Sequence, residues 1–160
     1  MNKYELVLDD SINIPEETLY RIRALKDFAG VKKGDLGGYI ASEKNLSHLG
    51  DCWISDNAWA FGNSHVSENA RISNHACVFD NACVFGNAHV YGDACIYGNA
   101  RIFGNTWVLD NARLYGDSCV FGNAHVYHNA HVFGNAHVYG HARIYGLEWV
   151  SGNARICEWR

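Results

Sequence analysis

Nine histidines and six cysteines in 160 residues are the side chains here that could ligate a metal or act as nucleophiles. A zinc site needs three or four N, S or O ligands converging on one point. No Cys-x-x-Cys is present, nor a Ser-His-Asp spacing, a phosphate loop or a Gly-x-Gly-x-x-Gly that opens a helix. Four pairs remain as candidates: His89 with His125, Cys119 with His137, Asp110 with His128, and Cys77 with Cys95. Whether any of them meets depends on the elements that carry them.

Those elements are set by a repeat. From 54 to 156 an aliphatic residue returns every six positions, as at Val78, Val84, Val90 and Ile96, with Ala60 the one change of type. A small residue follows four positions later, as at Ala82, Ala88 and Ala94, until Glu148 breaks the rule. The unit reads Val-[Phe/Tyr]-Gly-Asn-Ala-His and runs for eighteen copies. A six-residue period suits neither a helix nor a plain alternating strand. It suits a short strand and a turn, with Ala and Val pointing in, His and Phe/Tyr pointing out, and Gly-Asn bending the chain. Three such sides close a coil of eighteen residues. Eighteen hexads predict about six coils, a stack roughly 29 Å tall at the usual strand spacing.

Residues eighteen apart then stack. Phe61, Phe79, Tyr97, Tyr115 and Phe133 form one predicted column. Phe85, Phe103, Phe121 and Tyr139 form a second, and Tyr91, Leu109, Tyr127 and Tyr145 a third. The same arithmetic puts Trp107 between His89 and His125, and makes neighbours of Cys119 and His137. It sets Cys77 and Cys95 roughly 4.8 Å apart, within reach of a disulfide, although reducing cytosolic conditions favour free thiols. Each of these is a pair, so no residue qualifies as catalytic, cofactor-binding or metal-ligating.

The periodicity resembles that of the hexapeptide-repeat, left-handed parallel β-helix family. The Gly-Asn-Ala-x-Val-[Phe/Tyr] variant, with Phe or Tyr where the usual motif has Gly or an acid, resembles prophage-type and bacterial acyltransferase-like proteins. The stretch Leu-Tyr-Arg-Ile-Arg-Ala-Leu-Lys-Asp-Phe through Gly-Asp-Leu-Gly-Gly-Tyr-Ile resembles the N-terminal segment of the same proteins. The resemblance implies left-handedness. It also implies that catalysis, where it exists in the family, uses a histidine and loops protruding from the coils. This array has no insertion between 54 and 156, so a lidded pocket is not expected.

The rest of the chain divides simply. Residues 1–45 lack the repeat and are expected to be a β cap: strands at 3–8 and 18–25, a turn at Pro15-Glu16-Glu17, and a strand beginning at Tyr39-Ile40. Residues 46–160 are the coil, one domain with the cap. Net charge is −4 and no lysine follows Asp51, so the basic stripe of a nucleic-acid binder is missing. No apolar run has membrane length and no signal peptide is seen, which makes the cytoplasm the expected location.

These features predict an all-β, single-domain parallel β-helix. The expected function is non-enzymatic: a homo-oligomeric interaction protein of prophage type, binding a host protein through its aromatic faces or N-terminal head, with no cofactor. An acyltransferase-like enzyme and a polymer-forming rod are the alternatives. The residues expected at contacts are Phe79, Tyr97, Tyr115, Phe133, Phe85, Phe103, Phe121 and Tyr139, with Trp149 and Trp159 at the C-terminal coil. Tryptophan is favoured there because it is enriched where proteins meet.

Overall fold

A computed structural model describes residues 2–158. Among them all regular structure is β except a 3-10 turn at Glu43–Asn45. Strands β1 (Tyr4–Asn13), β2 (Thr18–Ala24) and β3 (Leu36–Ile40) come first. Eighteen short strands follow, β4 to β21, from Trp53–Ile54 to Arg155–Glu158. They sort into three sheets, so the coil is three-sided. Each pairs in parallel with the strand eighteen residues away: Cys77 with Cys95, Cys83 with Arg101, His89 with Trp107. The solenoid has about seven turns, not six. Part of the difference is β3, which pairs Tyr39 with Trp59 and Ile40 with Ala60. That offset is twenty residues, so a six-residue period passes over it.

The interior follows the alternation. Val84, Val90 and Ile96 are fully buried, as are the small residues Ala82, Ala88 and Ala94 between them. Burying one such aliphatic side chain is worth about 1.5–3 kcal/mol. Backbone groups bond from coil to coil, as in Cys77 N–H to Ala94 C=O at 2.9 Å and Phe79 N–H to Ile96 C=O at 3.0 Å. At each corner the residue two after the aliphatic one has positive φ, as at Gly86 (67°) and Gly104 (70°). Asp56, Glu68, Asn74, Asp80, Asp110 and His128 adopt the same conformation. The Asn of Gly-Asn does not. Its side chain forms amide ladders instead, Asn69 to Asn87 to Asn105 to Asn123 at 3.2–3.3 Å.

The N-terminal strands extend the first of the three sheets, in the order β1, β2, β3 and then the coil strands. Strand β1 runs to Asn13, beyond the expected 3–8. A register shift between Val7 and Ser11 absorbs the irregular middle and lets pairing with β2 resume. Tyr39-Ile40 closes β3 where it was expected to open a strand, because the 3-10 turn follows almost at once. The expected turn is present, with Ile14 and Glu17 exchanging backbone hydrogen bonds.

Three contacts tie this segment to the coil. Lys3 is fully buried, and its ammonium donates to Gly50 O (3.2 Å), Cys52 O (2.7 Å) and Cys52 Sγ (3.2 Å). Burial lowers its pKa from the ordinary value. Arg21, held by Asp10 (2.9 Å) and the Tyr39 hydroxyl (2.7 Å), donates to Asp56 O of the coil at 3.2 Å. The Glu17 carboxylate accepts from Gly62 N–H at 2.9 Å.

Candidate interaction faces

Position within the hexad decides where each side chain goes. The residue before the aliphatic one points outward from a flat sheet, and the residue after it flanks the corner, just ahead of the left-handed turn. Stacking along the coil therefore makes columns of both kinds, spaced by the strand separation.

The corner columns match the expected ones. Phe61, Phe79, Tyr97, Tyr115 and Phe133 stack nearly parallel with centroids 4.9–5.0 Å apart. Phe85, Phe103, Phe121 and Tyr139 do the same at 4.9–5.3 Å. Tyr127 stacks on Tyr145 at 5.4 Å. The rings of the first two columns are half-buried by one another, so much of their area is spent within the molecule. Ring pairs of this kind add about 0.5–1.5 kcal/mol beyond area burial.

The flat-face columns are more polar. One face presents Cys77, Cys95, Arg113, His131 and Trp149. Another presents Cys83, Arg101, Cys119 and His137. The third presents Arg71, His89, Trp107, His125 and Arg143. On that third face Trp107 lies over His125 at 5.8 Å and tilts against His89 at 5.3 Å, while remaining 41% exposed. Burial, reinforced by Arg71 and by Arg143 respectively, lowers the pKa of His89 and His125. Both are therefore neutral at pH 7, and the charge of this face comes from the two arginines. Trp107 and its arginines were absent from the expected contact residues. Applying the eighteen-residue step to the slot before the aliphatic residue, as was done for the slot after it, finds them.

The four chemistry-bearing pairs resolve individually. His89 and His125 are separated by Trp107, as expected. Asp110 accepts a hydrogen bond from the backbone of His128, not from its ring. Cys119 and His137 are direct neighbours, with burial raising the Cys119 pKa. Cys77 and Cys95 are direct neighbours as well, and all six cysteines are free thiols. Among the described residues no three His, Cys, Asp or Glu side chains converge as a metal site.

At the C-terminal coil Trp149 continues its column, stacked on His131 at 4.9 Å and edge-on to Phe133 at 5.7 Å. It is nevertheless 66% exposed, beside Leu147 at 79% and Tyr145 at 48%. Glu148 turns outward while its backbone keeps the ladder, His131 N–H bonding to Glu148 O at 2.8 Å. Trp159 lies outside the described residues. A cleft of about 950 Å³ opens nearby, lined among others by His125, Tyr127, His141, Arg143 and Tyr145.

Fold and repeat together define a β-solenoid repeat protein. A family model described as the YdcK beta solenoid repeat matches residues 94–110, a stretch that includes the turns at Gly98 and Gly104. No curated protein matches the chain. No helix among the described residues is long and apolar enough to cross a membrane.

Proposed function

We propose that this solenoid is a non-enzymatic, self-associating interaction protein. The observation that carries the reading is the exposure of Tyr145, Leu147 and Trp149 around one corner of the C-terminal coil. Large apolar side chains exposed together mark contact sites, and Trp and Tyr dominate contact energetics. In this reading copies join there, and residues 1–45 form a cap that covers the opposite end. The face holding Arg71, Trp107 and Arg143 stays free for a second protein, whose acidic groups would meet the arginines. The prophage-type resemblance of the repeat makes a host protein the class of partner, and the free cysteines suit the reducing cytoplasm.

Sedimentation velocity over a range of concentrations tests the self-association. Wild type should sediment as an oligomer, and a Leu147→Ser, Trp149→Ala variant as a monomer. A wild type that stays monomeric, or a variant of unchanged mass, overturns the proposal. Trp107→Ala should leave the oligomer intact and weaken capture of the second protein.

One observation favours a second reading. The cleft beside His125, His141 and Arg143 is large enough for a cofactor-sized ligand, which suits the acyltransferase-like alternative. Calorimetry with an acyl-CoA separates the two. Saturable binding that His141→Ala abolishes would favour the enzyme.

A further inference from the structure

The repeat scatters six cysteines over the molecule, but it sets only Cys77 and Cys95 side by side in register among the described residues. Cys83 and Cys119 share a face, yet Arg101 stands between them. Cys157 pairs with Tyr139, and Cys52 is buried against Lys3. Cys77 and Cys95 are both half-buried on a flat sheet, with Arg113 as the next residue of their column. Adjacent strands lie about 4.8 Å apart, inside the Cα separation that a disulfide spans. A groove of about 340 Å³ runs beside Cys77, walled by Ile12, Tyr39, Trp59 and His75.

We propose that Cys77 and Cys95 form a dithiol modification site for small-molecule disulfides of the glutathione class, with Cys95 attacking and Cys77 resolving. The division of labour follows from the neighbours. The neighbouring Cys77 sulfur, opposed by burial and helped by Arg113, holds the Cys95 pKa down to about 6. The Cys95 sulfur beside it and burial push Cys77 up. Cys95 is thus the thiolate at neutral pH, and thiolates are the attacking species.

The steps balance. The Cys95 thiolate attacks one sulfur of the incoming disulfide, forming a mixed disulfide and releasing one small thiolate. Cys77 gives up its proton to that released thiolate, and its sulfur then attacks the Cys95 sulfur. The Cys77–Cys95 bond forms and the second small thiolate leaves, taking a proton from solvent. Two protein thiols are oxidised and one small disulfide is reduced to two thiols.

The test is incubation of the full chain with oxidised glutathione at neutral pH, followed by intact-mass measurement and peptide mapping. Wild type should lose the mass of two hydrogens, yield a Cys77–Cys95 cross-linked peptide and gain melting temperature. Cys77→Ser should trap glutathione on Cys95, and Cys95→Ser should leave Cys77 no faster to react than Cys119. Circular dichroism establishes that both serine variants fold. Adducts spread evenly over Cys77, Cys83, Cys95 and Cys119 would overturn the proposal. So would a folded Cys77→Ser variant that collects no glutathione at Cys95.

Discussion

The carboxylate of Asp110 accepts a hydrogen bond at 3.0 Å from the backbone N–H of His128, one coil further on. Both residues hold the left-handed conformation that the corner demands. His128 passes the arrangement along, accepting from Gly146 N–H through Nδ1 at 3.3 Å. Asp56, Glu68 and Asp80 reach the next corner in the same way. Glu17 does so for Gly62 from outside the repeat, standing in for a corner that the coil does not supply. A side chain at these corners thus offsets its backbone cost by satisfying an N–H that water would otherwise hold.

Asp110→Ala removes the acceptor and keeps a Cβ in the left-handed region. It should cost about 1–2 kcal/mol by urea denaturation. Asp110→Asn, which retains an acceptor, should stay within about 0.5 kcal/mol of wild type. An alanine variant with the wild-type midpoint would show that the bond contributes nothing.

Gly104 and Gly146 have nearly the same φ, 70° and 65°, but different neighbours. A Cβ on Gly104 would lie 2.8 Å from Gly122 N, whereas one on Gly146 meets nothing within 4 Å. Gly146→Ala should cost only the conformational term, about 1–2 kcal/mol. Gly104→Ala should cost that and a further 1–3 kcal/mol or so, because the next coil must shift. Equal melting temperatures for the two variants would contradict the close coil-to-coil approach.

Val90→Asp places a carboxylate in the dry interior and should cost more than about 4 kcal/mol. Val150, 8% exposed against none at Val90, sits in the last described coil. Val150→Asp should cost less than half as much, since water reaches the new charge. Thermal unfolding followed by circular dichroism ranks the two variants. The reverse order would invalidate the inward assignment.

Stability should fall on mild acidification. Burial first, then a nearby arginine, lowers the pKa of His89, His125 and His131 from the ordinary 6.5. In the window below 6.5 the unfolded chain therefore binds more protons than the folded one. This contribution is complete above 6.5 and is lost as pH drops through that value towards the lowered folded ones. The urea midpoint should decline between about pH 7.5 and about pH 5, before the carboxylates titrate. His89→Gln with His125→Gln should shrink that decline. An unchanged slope in the double variant would rule out these two histidines as its source.

Much of the molecule was legible in the order of its residues. A six-residue period leaves one class of backbone that buries Val90 and Ala88 together, and stepping by eighteen pairs Cys77 with Cys95 and stacks Phe79 on Tyr97. Those relations are local and periodic, so they survive without coordinates. The parts that were not legible are those where contact breaks the period. Lys3 finds its acceptors at Gly50 and Cys52, nearly fifty positions away, and no pattern in the chain announces that a lysine will be buried. The twenty-residue offset of Tyr39 from Trp59 conceals a strand of the coil for the same reason. Exposure, too, is decided only in three dimensions. The column of Phe79 and the column of Trp107 are equally regular in sequence. The corner tucks the first into its own stack, while the flat face leaves Trp107 open to solvent, because the two slots of the hexad point away from the backbone in different directions.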